Sequence, residues 1–400
     1  MSQSSQSAPH PAAAESAPSP PRTIADSTVA RPAAAAAEPY QLIAPDGSFD
    51  AARIDAAGVS AAQLMLIYRG MLRIRIMDER LLTMQRQGRI SFYGEARGQE
   101  AAVIGTASAL SDVDYIVPAL REAGAAIYRG LPLRAYIAQI FGNSNDLCKG
   151  RQMPCHPGNR ATRYVTMSSC IATQLPHATG IAMAARRVGD PIVSVGYLGD
   201  GATSEGDFHT GLNFAGVFRA PVVFVCQNNQ WAISTPVGAQ TSSQTMAEKA
   251  LAYGIPAVRC DGNDALACHV AMRALVQRAR DGHGPQFLEA LTYRVSAHSS
   301  SDDPSRYRDE SVTAVWREAR CPLSRFRTFL VARGLLSSES DTALRDEIDA
   351  EVRAAIAAEE AAGPPALATL VEDVFGEVPP SLQAQLAEIV AAPRPAGHGQ

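Results

Sequence analysis

The sequence lacks the features that mark membrane-spanning, nucleic-acid-binding and disulfide-stapled proteins. No apolar run reaches the roughly 18 residues that span a bilayer, so no membrane association is expected. The formal net charge is -4, whereas binding to nucleic acid usually needs a strong basic excess. The seven cysteines are scattered and include no CxxC pair, which argues against a zinc site or a disulfide framework and fits reduced thiols inside a cell.

The remaining composition is that of a globular chain with unusual ends. Of the 400 residues, 46% are hydrophobic and 19% charged, so the chain is long enough to bury a large core. Residues 1–38 are instead rich in Ala, Pro and Ser, and too few large apolar side chains occur there to offset the entropy of ordering. We expect a disordered tail over 1–38, one domain over 39–390 and a flexible tail over 391–400.

The first segment has a second interpretation, as a mitochondrial transit peptide. It contains only two arginines, Arg22 and Arg31, together with the acidic Glu15, Asp26 and Glu38. Transit peptides are Arg-rich and acid-poor, so a tail that is not cleaved is favoured. We therefore expect a cytoplasmic, bacterial protein, with the mitochondrial matrix as the alternative.

Hydrophobic periodicity predicts an α/β fold. Apolar residues recur at helical spacing over 60–87, which predicts one long helix. Short apolar runs at 192–198, 222–226 and 287–293 predict strands separated by helices. Such alternation implies a mostly parallel sheet flanked by helices. After Cys321 the pattern is that of amphipathic helices, interrupted at Gly363-Pro364-Pro365.

Polar residues follow two of the predicted strands. Asp200 lies in Gly199-Asp200-Gly201 directly after the first strand, and Asn229 follows the second. Ligands of a βαβ unit bind beyond the carboxyl ends of its strands, so the oxygens of Asp200 and Asn229 can converge. The glycines let the backbone approach a phosphate, and the start of a helix predicted over 203–218 offers N–H groups to an anion. This pattern predicts Mg²⁺ on a diphosphate, with the backbone carbonyl of Trp231 as a third ligand.

Simpler interpretations of these residues remain open. Asp200 could cap a helix, and the Asn228-Asn229 pair could be turn residues. A dinucleotide site requires a third glycine where Ser204 stands, and an acidic residue where Gln227 follows the second strand. The nicotinamide interpretation therefore fails at both positions.

The segment around Asp200 resembles the thiamine diphosphate motif, and its surroundings resemble the E1 alpha subunits of 2-oxo acid dehydrogenase complexes, most closely the branched-chain type. The resemblance runs from about Leu64 to the C-terminal tail. The stretches that carry it are Arg121-Glu122-Ala123-Gly124, Ala172-Thr173-Gln174 and residues 84–93, 149–154, 228–236 and 298–304. It implies a thiamine diphosphate-binding fold, with thiamine diphosphate and Mg²⁺ as cofactors.

The implied activity is oxidative decarboxylation of branched-chain 2-oxo acids, with transfer of the acyl unit to a lipoyl group. A pyruvate or acetoin dehydrogenase alpha subunit is the nearest alternative. Residues 90–93 and 301–304 look more like the branched-chain pattern. A non-catalytic scaffold subunit that kept the fold is the remote alternative.

The resemblance also implies roles for individual residues. His298 corresponds to the active-site histidine, and Phe92 and Ile171 correspond to the acyl-chain pocket. A monovalent-cation site, suited to K⁺, corresponds to Ser168, the Cys170 carbonyl, Thr173 and Gln174. The residues that correspond to cofactor contacts are Arg121, Ser169, Ile171, Gly199, Gly201, Ala202, Gln227 and His298.

The chain departs from the family pattern at several points. Leu120 stands where mammalian relatives have Tyr, and Gln227 replaces an Arg, so both changes weaken the expected contacts to the cofactor. Ser299 occupies a position that is phosphorylated in mitochondrial relatives. No residue corresponds to the glutamate that pairs with the aminopyrimidine ring. The resemblance therefore implies an E1 beta subunit in an α2β2 heterotetramer, and a lipoyl-bearing E2 acyltransferase as a further partner.

Overall fold

The computed structural model describes residues 38–392. The predicted tails over 1–38 and 391–400 therefore lie almost entirely outside the described residues. The strands are β1 (Tyr115–Val117), β2 (Ser194–Gly199), β3 (Val222–Asn228), β4 (Trp231–Ala232), β5 (Thr235–Pro236), β6 (Ala257–Asp261) and β7 (Gln286–Leu291).

Helices surround these strands along the chain. They are α1 (Ala51–Ala56), α2 (Ala61–Arg86), α3 (Glu100–Ala107), α4 (Ala123–Tyr128), α5 (Leu133–Phe141), α6 (Gln174–Val188), α7 (Gly206–Phe218), α8 (Val237–Gln240), α9 (Met246–Leu251), α10 (Ala265–Arg278), α11 (Glu310–Glu318), α12 (Pro322–Ala332), α13 (Ser338–Glu360), α14 (Thr369–Glu372) and α15 (Pro380–Ala391). Short 3₁₀ turns occupy Asp200–Ser204 and Pro304–Arg306, and a π-turn occupies Ala279–His283.

The central sheet is parallel and has the order β1-β2-β3-β7-β6, while β4 and β5 form a separate antiparallel pair. Strand β3 is buried over its whole length, as expected for an apolar run inside a parallel sheet. Gly199 pairs with Gln227, and Asn228 pairs with Leu291, so the carboxyl ends of β2, β3 and β7 are nearly level. The predicted α/β class with a mostly parallel, helix-flanked sheet is confirmed.

Several element boundaries differ from those predicted. The helix predicted over 203–218 begins only at Gly206, because Asp200–Ser204 forms a 3₁₀ turn and Glu205 is extended. The strand predicted over 192–198 is β2, and the strand predicted over 287–293 is β7, each shifted by one or two residues. The sequence did not predict β1 or β6, whose apolar runs are very short.

The long helix predicted over 60–87 is confirmed as α2. It begins after Ser60, whose hydroxyl accepts a hydrogen bond from the Gln63 N–H over 3.2 Å. Arg75 extends from α2 to the buried Glu100 at the start of α3, with a shortest N–O distance of 2.5 Å. This ion pair links α2 to the loop that leads into the carboxyl edge of the sheet.

The C-terminal part is helical, as predicted. Helix α13 ends at Glu360, and the Gly363-Pro364-Pro365 sequence separates it from α14 and α15. Within residues 38–392, no helix combines the length and the apolar character that crossing a bilayer requires.

Candidate functional site

A cavity of about 420 Å³ opens at the carboxyl edge of the sheet. Its walls come from the segments that follow β2, β3 and β7 and from the loops around 119–122 and 168–174. The predicted site residues in its lining are Phe92, Arg121, Ser168, Ser169, Cys170, Ile171, Gln174, Gly199, Gly201, Ala202, Gln227, Asn229, Trp231 and His298. Asp200 lies between the two lining glycines, and Thr173 is not in the lining.

Asp200 is fully buried, and neither carboxylate oxygen has a hydrogen-bond partner among residues 38–392. Burial raises the pKa of Asp200 to about 6, although nearby backbone N–H groups, including those of Asp200 itself and Asn229, oppose the rise. An unpartnered buried carboxylate is strongly unfavourable unless a cation compensates its charge. The residues present therefore fit a metal ion at this position.

The surroundings of Asp200 supply oxygen atoms and open space. Asn229 lies directly beyond β3, and its Oδ1 accepts a hydrogen bond from the Trp231 N–H over 3.2 Å. A Cβ atom on Gly201 would lie 2.6 Å from the Ala232 Cβ, whereas one on Gly199 would meet nothing within 4 Å. The described residues contain no group of three His, Cys, Asp or Glu side chains able to hold a metal ion. One carboxylate with amide and carbonyl oxygens is a ligand set that suits Mg²⁺.

Arg121 is buried in the cavity wall, where its guanidinium contacts backbone carbonyls. Its guanidinium donates to the backbone carbonyl of His298 over 2.8 Å and also to that of Glu95. The Glu122 carboxylate instead accepts the Arg121 backbone N–H over 3.1 Å. Burial lowers the pKa of Arg121, with the neighbouring carboxylates opposing the change.

His298 follows β7 and lies half-buried at the cavity. Burial lowers the pKa of its ring to about 4, and the positive charges of Arg121 and Arg294 act in the same direction. The ring is therefore neutral at pH 7, able to donate or accept a proton. The His298 backbone N–H donates to Asp302 over 2.7 Å, which orders the start of the loop that follows His298.

The segment 168–174 forms one wall of the cavity, with its polar atoms largely engaged by the protein. The Ser169 hydroxyl lies 2.5 Å from His156 Nε2, and Ser168 Oγ accepts the Cys170 N–H over 3.2 Å. Thr173 Oγ1 donates to Asp207 over 3.1 Å, and Gln174 Nε2 donates to the Tyr197 carbonyl over 2.8 Å. A K⁺ ion would bind through the oxygen lone pairs that these hydrogen bonds leave free. The monovalent-cation site stays a prediction.

Apolar side chains surround the mouth of the cavity. Ile171, Ile233 and Met153 each line it and are 59%, 54% and 53% exposed. We call these three residues the apolar rim. Phe92 is half-buried, packs against the hydrophobic core and lines the same cavity, so Phe92 and Ile171 lie where a substrate chain could contact them.

The sequence assigned no role to five polar residues of the cavity wall: Gln99, Glu122, His156, Glu205 and Arg294. Burial raises the pKa of Glu122 to about 7, and its carboxylate accepts a hydrogen bond from Gln227 Nε2. Burial lowers the pKa of Arg294 to about 10, and its Nη1 has no hydrogen-bond partner within the described residues. No local motif marks Gln99 or Glu122, because their partners Asn229 and Gln227 lie 130 and 105 positions away.

The backbone around the cavity is strained at four non-glycine residues. Cys155, Ala172, Gln230 and Ile233 have φ angles of 68°, 68°, 69° and 54°. This left-handed region is unfavourable for side chains with a Cβ, most of all for a β-branched residue such as Ile233. Such strain persists only where the surrounding structure enforces it, and it concentrates at functional sites.

Comparison with known proteins agrees with this geometry. The profile of the family described as "Dehydrogenase E1 component" matches residues 68–368. A relative from Arabidopsis thaliana, "2-oxoisovalerate dehydrogenase subunit alpha 2, mitochondrial", is 45% identical over 323 residues, 81% of this chain and 68% of the relative. The "3-methyl-2-oxobutanoate dehydrogenase subunit alpha" of Mycobacterium tuberculosis is 40% identical over 357 residues, 88% of this chain and 94% of the relative.

A mammalian alpha subunit is also similar to this chain. The "2-oxoisovalerate dehydrogenase subunit alpha, mitochondrial" of Bos taurus is 41% identical over 323 residues, covering 81% of this chain and 71% of its own length. The family profile spans every strand of the sheet and every predicted site residue. The chain therefore belongs to the dehydrogenase E1 component family, among its branched-chain 2-oxo acid dehydrogenase alpha subunits.

Proposed function

We propose that this chain is the alpha subunit of a thiamine diphosphate-dependent branched-chain 2-oxo acid dehydrogenase. The enzyme carries out oxidative decarboxylation of a 2-oxo acid and transfers the acyl unit to the lipoyl group of E2. The observation that carries the proposal is the fully buried, unpartnered carboxylate of Asp200 beside the open space at Gly199. The names of relatives that are 40–45% identical favour the branched-chain substrate over pyruvate or acetoin.

Asp200, Asn229 and the Trp231 carbonyl would hold Mg²⁺ at the carboxyl edge of the sheet. The cofactor contacts would come from Arg121, Ser169, Ile171, Gly199, Gly201, Ala202, Gln227 and His298. Thiamine diphosphate, when bound, supplies an electron sink for decarboxylation of the 2-oxo acid. The metal is supported by the two carboxylate oxygens of buried Asp200 that have no hydrogen-bond partner, and the diphosphate by the open space at Gly199.

The other predicted residues would complete the reaction site. His298, neutral at pH 7, would move protons beside the reacting centre, since its lowered pKa keeps a lone pair available. Phe92 and Ile171 would contact the branched acyl chain. Ser168, the Cys170 carbonyl, Thr173 and Gln174 would bind K⁺ and steady the wall that contains Ser169.

A second chain is part of the proposal. The carboxylate of Glu122 is engaged by Gln227 and by backbone N–H groups, so it is not free to pair with the aminopyrimidine ring. The apolar rim is exposed at the mouth of the cavity, where an E1 beta subunit would cover it. We propose an α2β2 heterotetramer that delivers its product to a lipoyl-bearing E2 acyltransferase.

The domain layout and the location also remain proposals. One catalytic domain over 39–390 is supported by the family match to residues 68–368. A bacterial cytoplasm is supported by the match to 94% of the Mycobacterium tuberculosis relative, and the mitochondrial matrix by the names of the plant and mammalian relatives.

The test compares 2-oxo acids in the assembled complex. The chain, co-purified with a beta subunit, should turn over 2-oxoisovalerate more efficiently than pyruvate, and only with thiamine diphosphate and Mg²⁺. The isolated chain should be nearly inactive. Preference for pyruvate would favour the alternative substrate class, and turnover by the isolated chain would contradict the shared site. Failure of the complex to bind millimolar thiamine diphosphate in a calorimetric titration would favour a scaffold subunit.

A further inference from the structure

We propose that Gln99 is a positioning residue that holds the carboxamide of Asn229 with its oxygen available to the cation beside Asp200. Gln99 precedes α3, is 1% exposed and lines the cavity. Its role rests on the proposed function, because Asp200 and Asn229 are proposed there as the Mg²⁺ ligands. No motif in the sequence marks Gln99, whose partner lies 130 positions away.

The hydrogen-bond pattern fixes which end of the Asn229 side chain is oxygen. The Trp231 backbone N–H can only donate, and it lies 3.2 Å from one end of the carboxamide, which must therefore be Oδ1. The other end is then Nδ2, which can only donate, and it faces the Gln99 side chain at 3.1 Å. The acceptor from Gln99 must therefore be Oε1.

Without the Gln99 oxygen, the buried Nδ2 of Asn229 would lose its acceptor. Turning the carboxamide over would not help, since the Trp231 N–H would then face another donor. Asn229 is only 7% exposed, so water does not readily replace the missing acceptor. Gln99 thus favours the one orientation in which Oδ1 keeps a free lone pair for a metal ion.

Gln99 is itself held rigidly. Gly98 has a φ of +92°, and a Cβ there would lie 2.6 Å from the Tyr293 carbonyl oxygen just beyond β7. The Gly98 N–H donates to Glu100 over 2.9 Å, and the Glu100 carboxylate is neutralised by Arg75 on α2. The turn that contains Gln99 is therefore held on one side by helix α2, through Glu100 and Arg75, and on the other by the sheet edge at Tyr293.

The oxygen and the nitrogen of the Gln99 carboxamide can be tested separately, because they differ in their contacts. Its Nε2 is buried and has no hydrogen-bond partner among the described residues. Gln99→Glu keeps an acceptor for Asn229 and removes this donor, whereas Gln99→Met removes both at nearly the same length. Comparing the two variants shows whether the oxygen or the nitrogen of Gln99 matters.

The experiment titrates Mg²⁺ calorimetrically into the complex with its beta subunit, in the presence of saturating thiamine diphosphate. Gln99→Met should weaken Mg²⁺ binding by about 10- to 100-fold, as is usual when a group that orients a metal ligand is lost. Gln99→Glu should bind Mg²⁺ at least as tightly as the unaltered chain, because it keeps the acceptor and adds a negative charge near the cation. The KM for the 2-oxo acid at saturating Mg²⁺ should change little in either variant.

Gln286→Met is the matched control. Gln286 is a fully buried glutamine at the amino end of β7, with hydrogen bonds to Gly284 and Arg278 and no contact with the cavity. Gln286→Met should lower the melting temperature of the complex without changing its Mg²⁺ affinity. This control distinguishes the effect of losing any buried carboxamide from the effect of losing the carboxamide of Gln99.

Two outcomes would overturn the role of Gln99. Unchanged Mg²⁺ affinity in Gln99→Met would show that Asn229 needs no support, and equal weakening in Gln99→Glu would show that the unpartnered nitrogen matters instead of the oxygen. If the unaltered complex bound neither Mg²⁺ nor thiamine diphosphate, the proposed function itself would fail. That result is distinguishable, because it does not depend on any Gln99 variant.

Discussion

The guanidinium of Arg121 donates a hydrogen bond to the backbone carbonyl of His298 over 2.8 Å, joining residues 177 positions apart. One side chain therefore links the loop before α4 to the segment that carries the proposed catalytic histidine. The same positive charge helps to keep the His298 ring neutral, because it opposes protonation of the imidazole.

Arg121→Lys should weaken thiamine diphosphate binding and slow turnover together. Lysine keeps the charge but cannot hold two carbonyls and a phosphate with one planar group. We expect affinity to fall by at least about tenfold, since a lost charge-assisted hydrogen bond is worth about 1.5–3 kcal/mol. Calorimetric titration of the complex with thiamine diphosphate measures the change.

The control is Arg69→Lys, which alters the exposed ion pair with Glu347 away from the cavity. Pairs of this kind contribute little to stability, so cofactor affinity should not change. Equal affinity of Arg121→Lys and the unaltered complex would show that Arg121 does not contact the diphosphate.

Asp200→Asn should stabilise the cofactor-free complex and abolish its response to Mg²⁺. Removing a buried, unpartnered charge should raise the free energy of unfolding by about 1–3 kcal/mol at pH 8. Denaturant unfolding with and without Mg²⁺ and thiamine diphosphate tests both parts. Asp349→Asn, which alters an exposed pair with Arg80, should leave the Mg²⁺ response intact. Normal turnover in Asp200→Asn or Asp200→Ala would rule out the metal assignment.

Mg²⁺ affinity should fall as the pH drops through the pKa of Asp200. Burial raises that pKa to about 6, so below pH 6 a proton competes with the metal for the same carboxylate. Between pH 7 and pH 5 we expect affinity to fall by about tenfold through linkage. Calorimetric titrations across this range measure it, with Mg²⁺ and thiamine diphosphate alone in buffer as the reference. Affinity that did not vary with pH would mean that Asp200 is not a ligand.

His269 should make the protein less stable at acidic pH. Burial lowers the pKa of its ring from 6.5 to about 4, with Arg273 acting in the same direction. The folded state keeps the ring neutral while the unfolded chain takes up a proton, so stability is lost as the pH falls from about 6.5 to 4. The slope for this one group is at most about 1.4 kcal/mol per pH unit.

Comparison of unfolding free energies for the unaltered chain and His269→Asn isolates this contribution. The difference should change with pH over that interval and level off below it. His177→Asn, on the exposed side of α6, is the control. A difference that stayed constant with pH would exclude His269 as the titrating group.

The sequence predicted the positions of Asp200 and Asn229 because each directly follows a strand of one βαβ unit, whose geometry leaves little freedom. It could not predict that β7 lies between β3 and β6, since the order of parallel strands leaves no local pattern. Gln99 and Glu122 were missed for a related reason. Their partners, Asn229 and Gln227, lie 130 and 105 positions away, so only the folded sheet edge brings them together.

The left-handed backbone of Ile233, with a φ of 54°, bears on any attempt to engineer this protein. Glycine at such a position relieves about 1–2 kcal/mol of steric conflict, and Ile233 is 54% exposed, so little buried packing would be lost. A screen for heat resistance alone would therefore reward Ile233→Gly. This substitution would make the mouth of the cavity more flexible, so heat-resistant variants selected in this way would lose turnover.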